Sequence, residues 1–178
     1  LKRGLVIGIL ILFTACQEKV VQYPVSYEDD REKFMEFSQD LNKEILREDN
    51  EIIENYIAGQ ATIFTKTTYG FWISNSGIPT EEMAKSGDMI KFQYSVHDFG
   101  NNEIYSEDEI GIQTAVLGRT DLPRGLHITL QMIEKGDSAI ALLPSFLGYA
   151  FYGDKNKIGN NIPLIFKVKV LDIKKNKQ

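Results

Sequence analysis

The chain has 178 residues, 43% of them hydrophobic, which suits one ordinary domain with an appendage and excludes wholesale disorder. A formal net charge of −5 argues against nucleic acid as a main partner, because phosphate binding needs a basic face. One cysteine, Cys16, rules out an internal disulfide and a multi-cysteine metal site; the two histidines, His97 and His127, lack ligand spacing, so no metal is expected.

Residues 1–15 read as a targeting segment. Lys2 and Arg3 form a positive start, and Gly4 to Phe13 is an apolar run too short to cross a bilayer core of ~30 Å as a helix. The small residues Thr14 and Ala15 stand directly before Cys16. This resembles the lipobox of bacterial lipoproteins, with Phe13 where leucine is commoner. The resemblance implies lipidation at Cys16 after cleavage and a lipid-anchored outer-membrane protein facing the periplasm. The other reading is a core helix with a buried cysteine. Residues 17–25 are a tether, so that 16–62 form a lipidated tether followed by a helix.

The helix begins after Ser26, which with Asp29 three residues on resembles a capping box, and acidic residues crowd its first turn. Phe34, Phe37, Leu41, Ile45, Ile52 and Tyr56 recur mostly at three- and four-residue steps, and Gly59 ends the run. Its charged face reads as solvated. Its apolar stripe, over residues 28–57, predicts burial against the rest of the chain or against a second copy in a homodimer.

After Gly59 the period changes to two. YGFWISNSG (69–77) and MIKFQYSV (89–96) alternate as strands, with Ile90, Phe92, Tyr94 and Val96 on one face. DFGNNE (98–103) is hairpin-turn chemistry, and EDE (107–109) reads as solvated surface. RGLHITLQMIEKG (124–136) predicts a short helix, with Asp121 and Pro123 at its start, Gly136 at its end, and Leu126, Leu130 and Ile133 as its buried stripe. SAIALLP (138–144) and PLIFKVKVLDI (163–173) are strands, the latter turning Leu164, Phe166, Val168 and Val170 to one side. Between them PSFLGYAFYGDKN (144–156) sets Phe146, Tyr149, Phe151 and Tyr152 in a turn. Loops are usually polar, so this one either folds down as a lid on the core or lines a pocket. The elements predict an α+β domain: an antiparallel sheet with one short helix. Neither a G-x-x-x-x-G-K phosphate loop nor a G-x-S-x-G nucleophile elbow occurs, so an enzyme here would work without metal, nucleophile or titrating base.

The order of short motifs carries further information. GD (87–88) leads into the strand with Tyr94, followed by IYS (104–106), LG (117–118), RGL (124–126), KGD (135–137), Pro144, LGYA (147–150) and the closing strand. This order resembles the FKBP family of peptidyl-prolyl cis/trans isomerases over residues about 65 to 175. With the lipobox and the helix, the chain is most similar to the gliding-motility-associated FKBP-type lipoproteins of Bacteroidetes; IYSEDE and YGDKNKIGNN carry that narrower match.

The resemblance implies an FKBP-like domain over 63–175, its sheet wrapped on the short helix, isomerising X–Pro bonds of exported proteins in an apolar pocket without a cofactor. Tyr94 stands for the family's first-strand tyrosine, and Tyr149 for the tyrosine whose hydroxyl bonds the substrate carbonyl; these are the expected catalytic residues. Ile104 stands where phenylalanine is usual, Leu122 lies before the helix, Leu126 replaces the tryptophan that floors the pocket, and Ile158 and Phe166 complete the wall; these would bind substrate. For each, the alternative is plain core packing. The chain departs from the family at Tyr105, where an aspartate is usual, at Gln113 and Ala115, where phenylalanines are, and at Ala150, where a glycine is. Pro123 sits near the position whose backbone N–H holds the ligand, and proline has none. These departures support a second reading, a binding module that turns over poorly. A third is a structural lipoprotein of a surface or motility assembly, docked through the helix.

Overall fold

The computed structural model describes residues 27–74, 80 and 82–176. The targeting segment, Cys16 and the tether lie outside the described residues, as does the end of the strand expected over 69–77. The chain divides into two compact units, Leu1–Glu36 and Phe37–Gln178, and the sheet lies in the second.

Helix α1 spans Tyr27–Ala58 and stops at Gly59, whose N–H bonds the Tyr56 carbonyl at 3.1 Å. The strands are β1 (Thr65–Lys66), β2 (Trp72–Ile73), β3 (Met89–His97), β4 (Glu103–Tyr105), β5 (Gln113–Val116), β6 (Ser138–Leu143) and β7 (Leu164–Lys174). They form one antiparallel sheet in the order β1-β2-β6-β7-β3-β4, with β5 also paired to β3. The hairpin turn forms where the sequence placed it: Asp98 Oδ1 accepts from the N–H groups of Gly100 (2.8 Å) and Asn102 (2.9 Å).

The period-two pattern sorts the two faces. Ile90, Phe92 and Val96 of β3, Ala139, Ala141 and Leu143 of β6, and Leu164, Phe166, Val168 and Val170 of β7 enter one core. Helix α3 (Arg124–Leu130) lies on that face and buries Leu126 and Leu130 completely. It stops at Leu130, short of the predicted Gly136. Turns at Gln131 and Met132 follow, and the Gly136 N–H bonds the Val170 carbonyl of β7 at 2.9 Å. Ile133 is still buried, so the stripe holds although the helix does not continue.

The reverse face of the sheet is covered as well, by α1, one of the two burial partners the apolar stripe allowed. Ile53 of α1 packs with Trp72, Leu142 and Ile165, and Tyr56 meets Phe99 edge-on at 5.3 Å. The buried line on α1 is Asp49 and Ile53, flanked by half-buried Ile45, Tyr56 and Ile57. It follows an i, i+4 row one residue away from the predicted Ile52, which is exposed. Phe34 and Phe37, in the early part of the predicted stripe, are 69% and 66% exposed.

One other expectation is corrected. Of the strand expected over 69–77, the described residues form Trp72–Ile73, and Tyr69 and Gly70 belong to the turn that joins it to β1. EDE is exposed, as expected, and lies on a short helix α2 (Glu107–Ile110) capped by Ser106, whose hydroxyl accepts from the Glu109 N–H. Strand β5 has no counterpart in the sequence reading; it forms by pairing Gln113–Val116 along the first half of β3.

Candidate functional site

The sheet, α3 and the loop from Pro144 to Pro163 enclose one apolar corner. Leu126 and Phe166 are fully buried and Ile158 is nearly so. Tyr94, Ile104, Leu122 and Tyr149 pack half-buried against the same cluster. All seven residues predicted for the pocket are thus brought into one cluster, three of them buried and four half-buried. The Tyr94 ring lies nearly parallel to those of Phe92 and Phe166, with centroids 5.8 and 5.9 Å away, which fixes its direction. Gly125 lets α3 approach β6 closely: a Cβ there would stand 2.5 Å from Leu143 Cδ1 and 3.0 Å from the Leu147 carbonyl. That approach sets Leu122 and Leu126 against the aromatic loop.

The loop divides its side chains. Two 3-10 turns, Ser145–Leu147 and Ala150–Tyr152, flank Tyr149. Leu147 and Tyr149 turn towards the core, whereas Phe146, Phe151 and Tyr152 are exposed. Phe146 and Phe151 line a separate cavity of about 420 Å³ with Leu41, Ile45 and Leu46 of α1. Tyr149 has φ −105° and ψ 4°, in the sparsely allowed region where many active-site residues sit. Ala150, at the family's glycine position, has φ +50°, a left-handed conformation that an L-residue adopts at some cost.

The next stretch of the loop supplies an ionised group. Asp154 Oδ1 accepts from the backbone N–H groups of Asn156 (2.9 Å) and Ile158 (2.8 Å), and Asp154 Oδ2 accepts from the Tyr105 hydroxyl. Asn156 Nδ2 donates to the same hydroxyl at 3.0 Å, and Lys157 Nζ sits 4.6 Å from the Tyr105 ring centroid. Lys157 also binds the Ile104 carbonyl (3.2 Å) and Glu109 (2.6 Å). Tyr105, the position where the resemblance led to an aspartate being expected, is thus met by the carboxylate of Asp154, 49 residues on. Sequence reasoning missed Asp154, Lys157 and Glu109 as parts of the site. The segments YGDKN and EDE were visible, but nothing in the chain's order says that they meet.

Burial pushes the pKa of the Tyr149 hydroxyl well up, as do the nearby Tyr94, Asp154 and Tyr105; burial and Tyr105 do the same to Tyr94. Burial opposes ionisation of Asp154, yet the Tyr105 hydroxyl and the backbone N–H groups of Ile158 and Asn156 together hold its carboxyl below the usual range. Pro123 opens α3 and offers no N–H next to Leu122, and its carbonyl accepts from the His127 N–H at 2.9 Å. Ala115 is buried core, and Gln113 turns its amide to the Ile110 carbonyl at 2.7 Å. Among the described residues, no group of three His, Cys, Asp or Glu side chains is placed to hold a metal ion.

The sequence model of the FKBP-type peptidyl-prolyl cis-trans isomerase matches residues 80–171, more than half of the chain. The chain belongs to this family. Its FKBP fold is shared with a peptidyl-prolyl cis-trans isomerase from Pseudomonas syringae pv. tomato, at 14% identity and a TM-score of 0.59, over 75% of this chain and 96% of that one. FkpA from Escherichia coli is similar over 85% of this chain and 74% of its own, at 17% identity and a TM-score of 0.57. No curated protein matches the sequence. In this FKBP domain the buried Leu126 and Phe166, the half-buried Tyr94 and Tyr149, and the carboxylate of Asp154 held by Tyr105 lie in the second compact unit with the sheet.

Proposed function

We propose that the FKBP domain isomerises X–Pro bonds of exported polypeptides by holding the twisted amide at the corner floored by Leu126 and Phe166. An X–Pro bond rotates slowly because amide resonance must be lost, a barrier of ~20 kcal/mol. Both isomers are populated, so a catalyst need only favour the state between them. The apolar floor grips the proline ring and disfavours the charge-separated planar amide. Tyr149 supplies a donor for the displaced carbonyl, and Tyr94 walls the ring. The observation that carries this reading is the half-buried Tyr149 at the rim: among the described residues no hydrogen bond engages its hydroxyl, which leaves it free to donate to a substrate. No cofactor enters the mechanism.

Tyr149→Phe removes one neutral hydrogen bond worth ~0.5–1.5 kcal/mol, so kcat/KM falls by up to roughly tenfold while the fold is kept. A peptide isomerisation assay beside a melting curve reads both; unchanged kcat/KM would remove Tyr149 from the mechanism. A binding module that holds proline segments with little turnover is the second reading, favoured by Pro123 and by the Tyr105–Asp154 pair. In the same assay it would bind the peptide without accelerating its relaxation.

The lipobox-like segment supports a lipid anchor at Cys16 in the outer membrane, towards the periplasm, and IYSEDE with YGDKNKIGNN supports kinship with gliding-motility lipoproteins. Several acyl chains would hold such a protein firmly, where one chain binds only marginally. Cys16→Ala is expected to accumulate as an uncleaved precursor; normal processing and membrane partition of this variant would overturn the anchor. The exposed Phe34, Phe37 and Leu41 support self-association through residues 28–57, seen as a dimer mass in light scattering.

A further inference from the structure

Asp49 is the one ionisable side chain of α1 that is buried, at 3% exposure, among the helix residues whose side chains are described. Its Oδ2 accepts two hydrogen bonds from a single residue, Ser145: one from the backbone N–H (2.8 Å) and one from Oγ (2.7 Å). Ser145 is itself 1% exposed. Burial raises the pKa of Asp49, against the two bonds from Ser145, so the carboxylate sits there at a cost. Simple packing of α1 on the sheet does not account for it, since Ile53 already does that work and an apolar residue of similar size commonly replaces a buried charge without loss.

Ser145 opens the aromatic loop. From it a short chain of backbone bonds leads to Tyr149: the Leu147 N–H bonds the Pro144 carbonyl and the Gly148 N–H bonds the Ser145 carbonyl, both at 3.0 Å. Tyr149 and Ala150 then occupy sparsely populated backbone conformations. Such conformations persist only where the surroundings fix them. Downstream, the Asn161 N–H bonds the Ala150 carbonyl at 2.8 Å. Upstream, the fixing contact is Asp49. On the side towards α1, the cavity of about 420 Å³ separates Leu41, Ile45 and Leu46 from Phe146 and Phe151, so close packing cannot substitute for the two hydrogen bonds there.

We propose that Asp49 is a positioning residue of the isomerase site: its carboxylate ties α1 to Ser145 and thereby fixes where the Tyr149 hydroxyl stands. This rests on the isomerase reading above. It makes the helix a part of the working domain.

The test compares Asp49→Ala, Asp49→Asn and Ser145→Ala in the full chain, by X–Pro peptide isomerisation and by amide hydrogen exchange. Asparagine keeps an oxygen that can accept both bonds; alanine keeps neither. Asp49→Ala is expected to lose up to roughly tenfold in kcat/KM, no more than Tyr149→Phe and mainly in kcat, as a misplaced catalytic group does. Asp49→Asn should stay within about twofold of the original and Ser145→Ala should fall between them, since one donor of two remains. The Leu147 and Gly148 amides should exchange about tenfold faster in Asp49→Ala and recover in Asp49→Asn, with β3 and β7 unchanged. The inference is overturned if Asp49→Ala keeps its activity and its loop protection, if Asp49→Asn is as impaired as Asp49→Ala, or if β3 and β7 exchange rises equally. Should the unmutated protein show no isomerase activity, the functional reading fails, and the loop exchange alone decides whether Asp49 positions Tyr149.

Discussion

Phe166→Ala is expected to cost ~3–5 kcal/mol of stability, the range for truncating a buried aromatic, and to remove isomerase activity. Phe166 has no exposed surface and sits on β7 opposite Val96 of β3 and Ala141 of β6, at the middle of the sheet. Its ring also stacks on Tyr94 and forms part of the pocket floor. The substitution therefore opens a cavity in the core and in the site together. A domain of this size commonly holds only ~5–15 kcal/mol in total, so such a loss should be plain in urea unfolding. Phe166→Leu keeps most of the volume and should cost far less. A Phe166→Ala protein destabilised by under ~1 kcal/mol would contradict the placement of the core.

Gly153→Ala is expected to damage the site more than the fold. Gly153 has φ +61° and ψ −166°, a combination that is essentially restricted to glycine. A Cβ there would lie 2.2 Å from the Ile158 carbonyl oxygen and 2.8 Å from that of Gly159, both backbone atoms that cannot swing aside. The chain must move, and what moves is the turn that brings Asp154 to Tyr105 and Ile158 to the pocket wall. Strain of ~1–3 kcal/mol should lower the melting temperature modestly. The loss in kcat/KM should exceed tenfold, because the wall and its carboxylate shift together. Equal kcat/KM in the variant and the original would mean that this turn plays no part in substrate binding.

What the sequence disclosed and what it hid follow from the range of the interactions. Strands β3 and β7 were legible because alternation over nine and eleven residues is a local signal, although burial departs from it at Ser95, His97 and Ile165, where the reverse face is also covered. The α3 stripe was legible for the same reason, even though the helix itself ends early. Strand β5 was not, since QTAV is short and takes its conformation from its partner β3. On α1 the apolar pattern ran through Ile52, but the contact row is set by what the helix meets, and the sheet's reverse face takes Ile53. The position of Tyr149 was recoverable from motif order. Its supports were not: Asp49 reaches Ser145 across 96 residues, and Tyr105 reaches Asp154 across 49. The question posed by the aromatic loop has a two-sided answer, since Tyr149 turns to the pocket while Phe146 and Phe151 face the cavity beside α1.

The central claim is catalysis by an apolar corner with a tyrosine donor and no titrating group near neutrality. Burial raises the pKa values of Tyr149 and Tyr94, and the hydrogen bonds to Asp154 keep it ionised, so none of the three changes charge between about pH 6 and 8. The most direct measurement is the relaxation rate of several X–Pro peptides with the folded protein across that pH range. The account predicts acceleration over the uncatalysed time of ~10–100 s, with a nearly flat pH profile. A folded protein that leaves every peptide at its uncatalysed rate would contradict it.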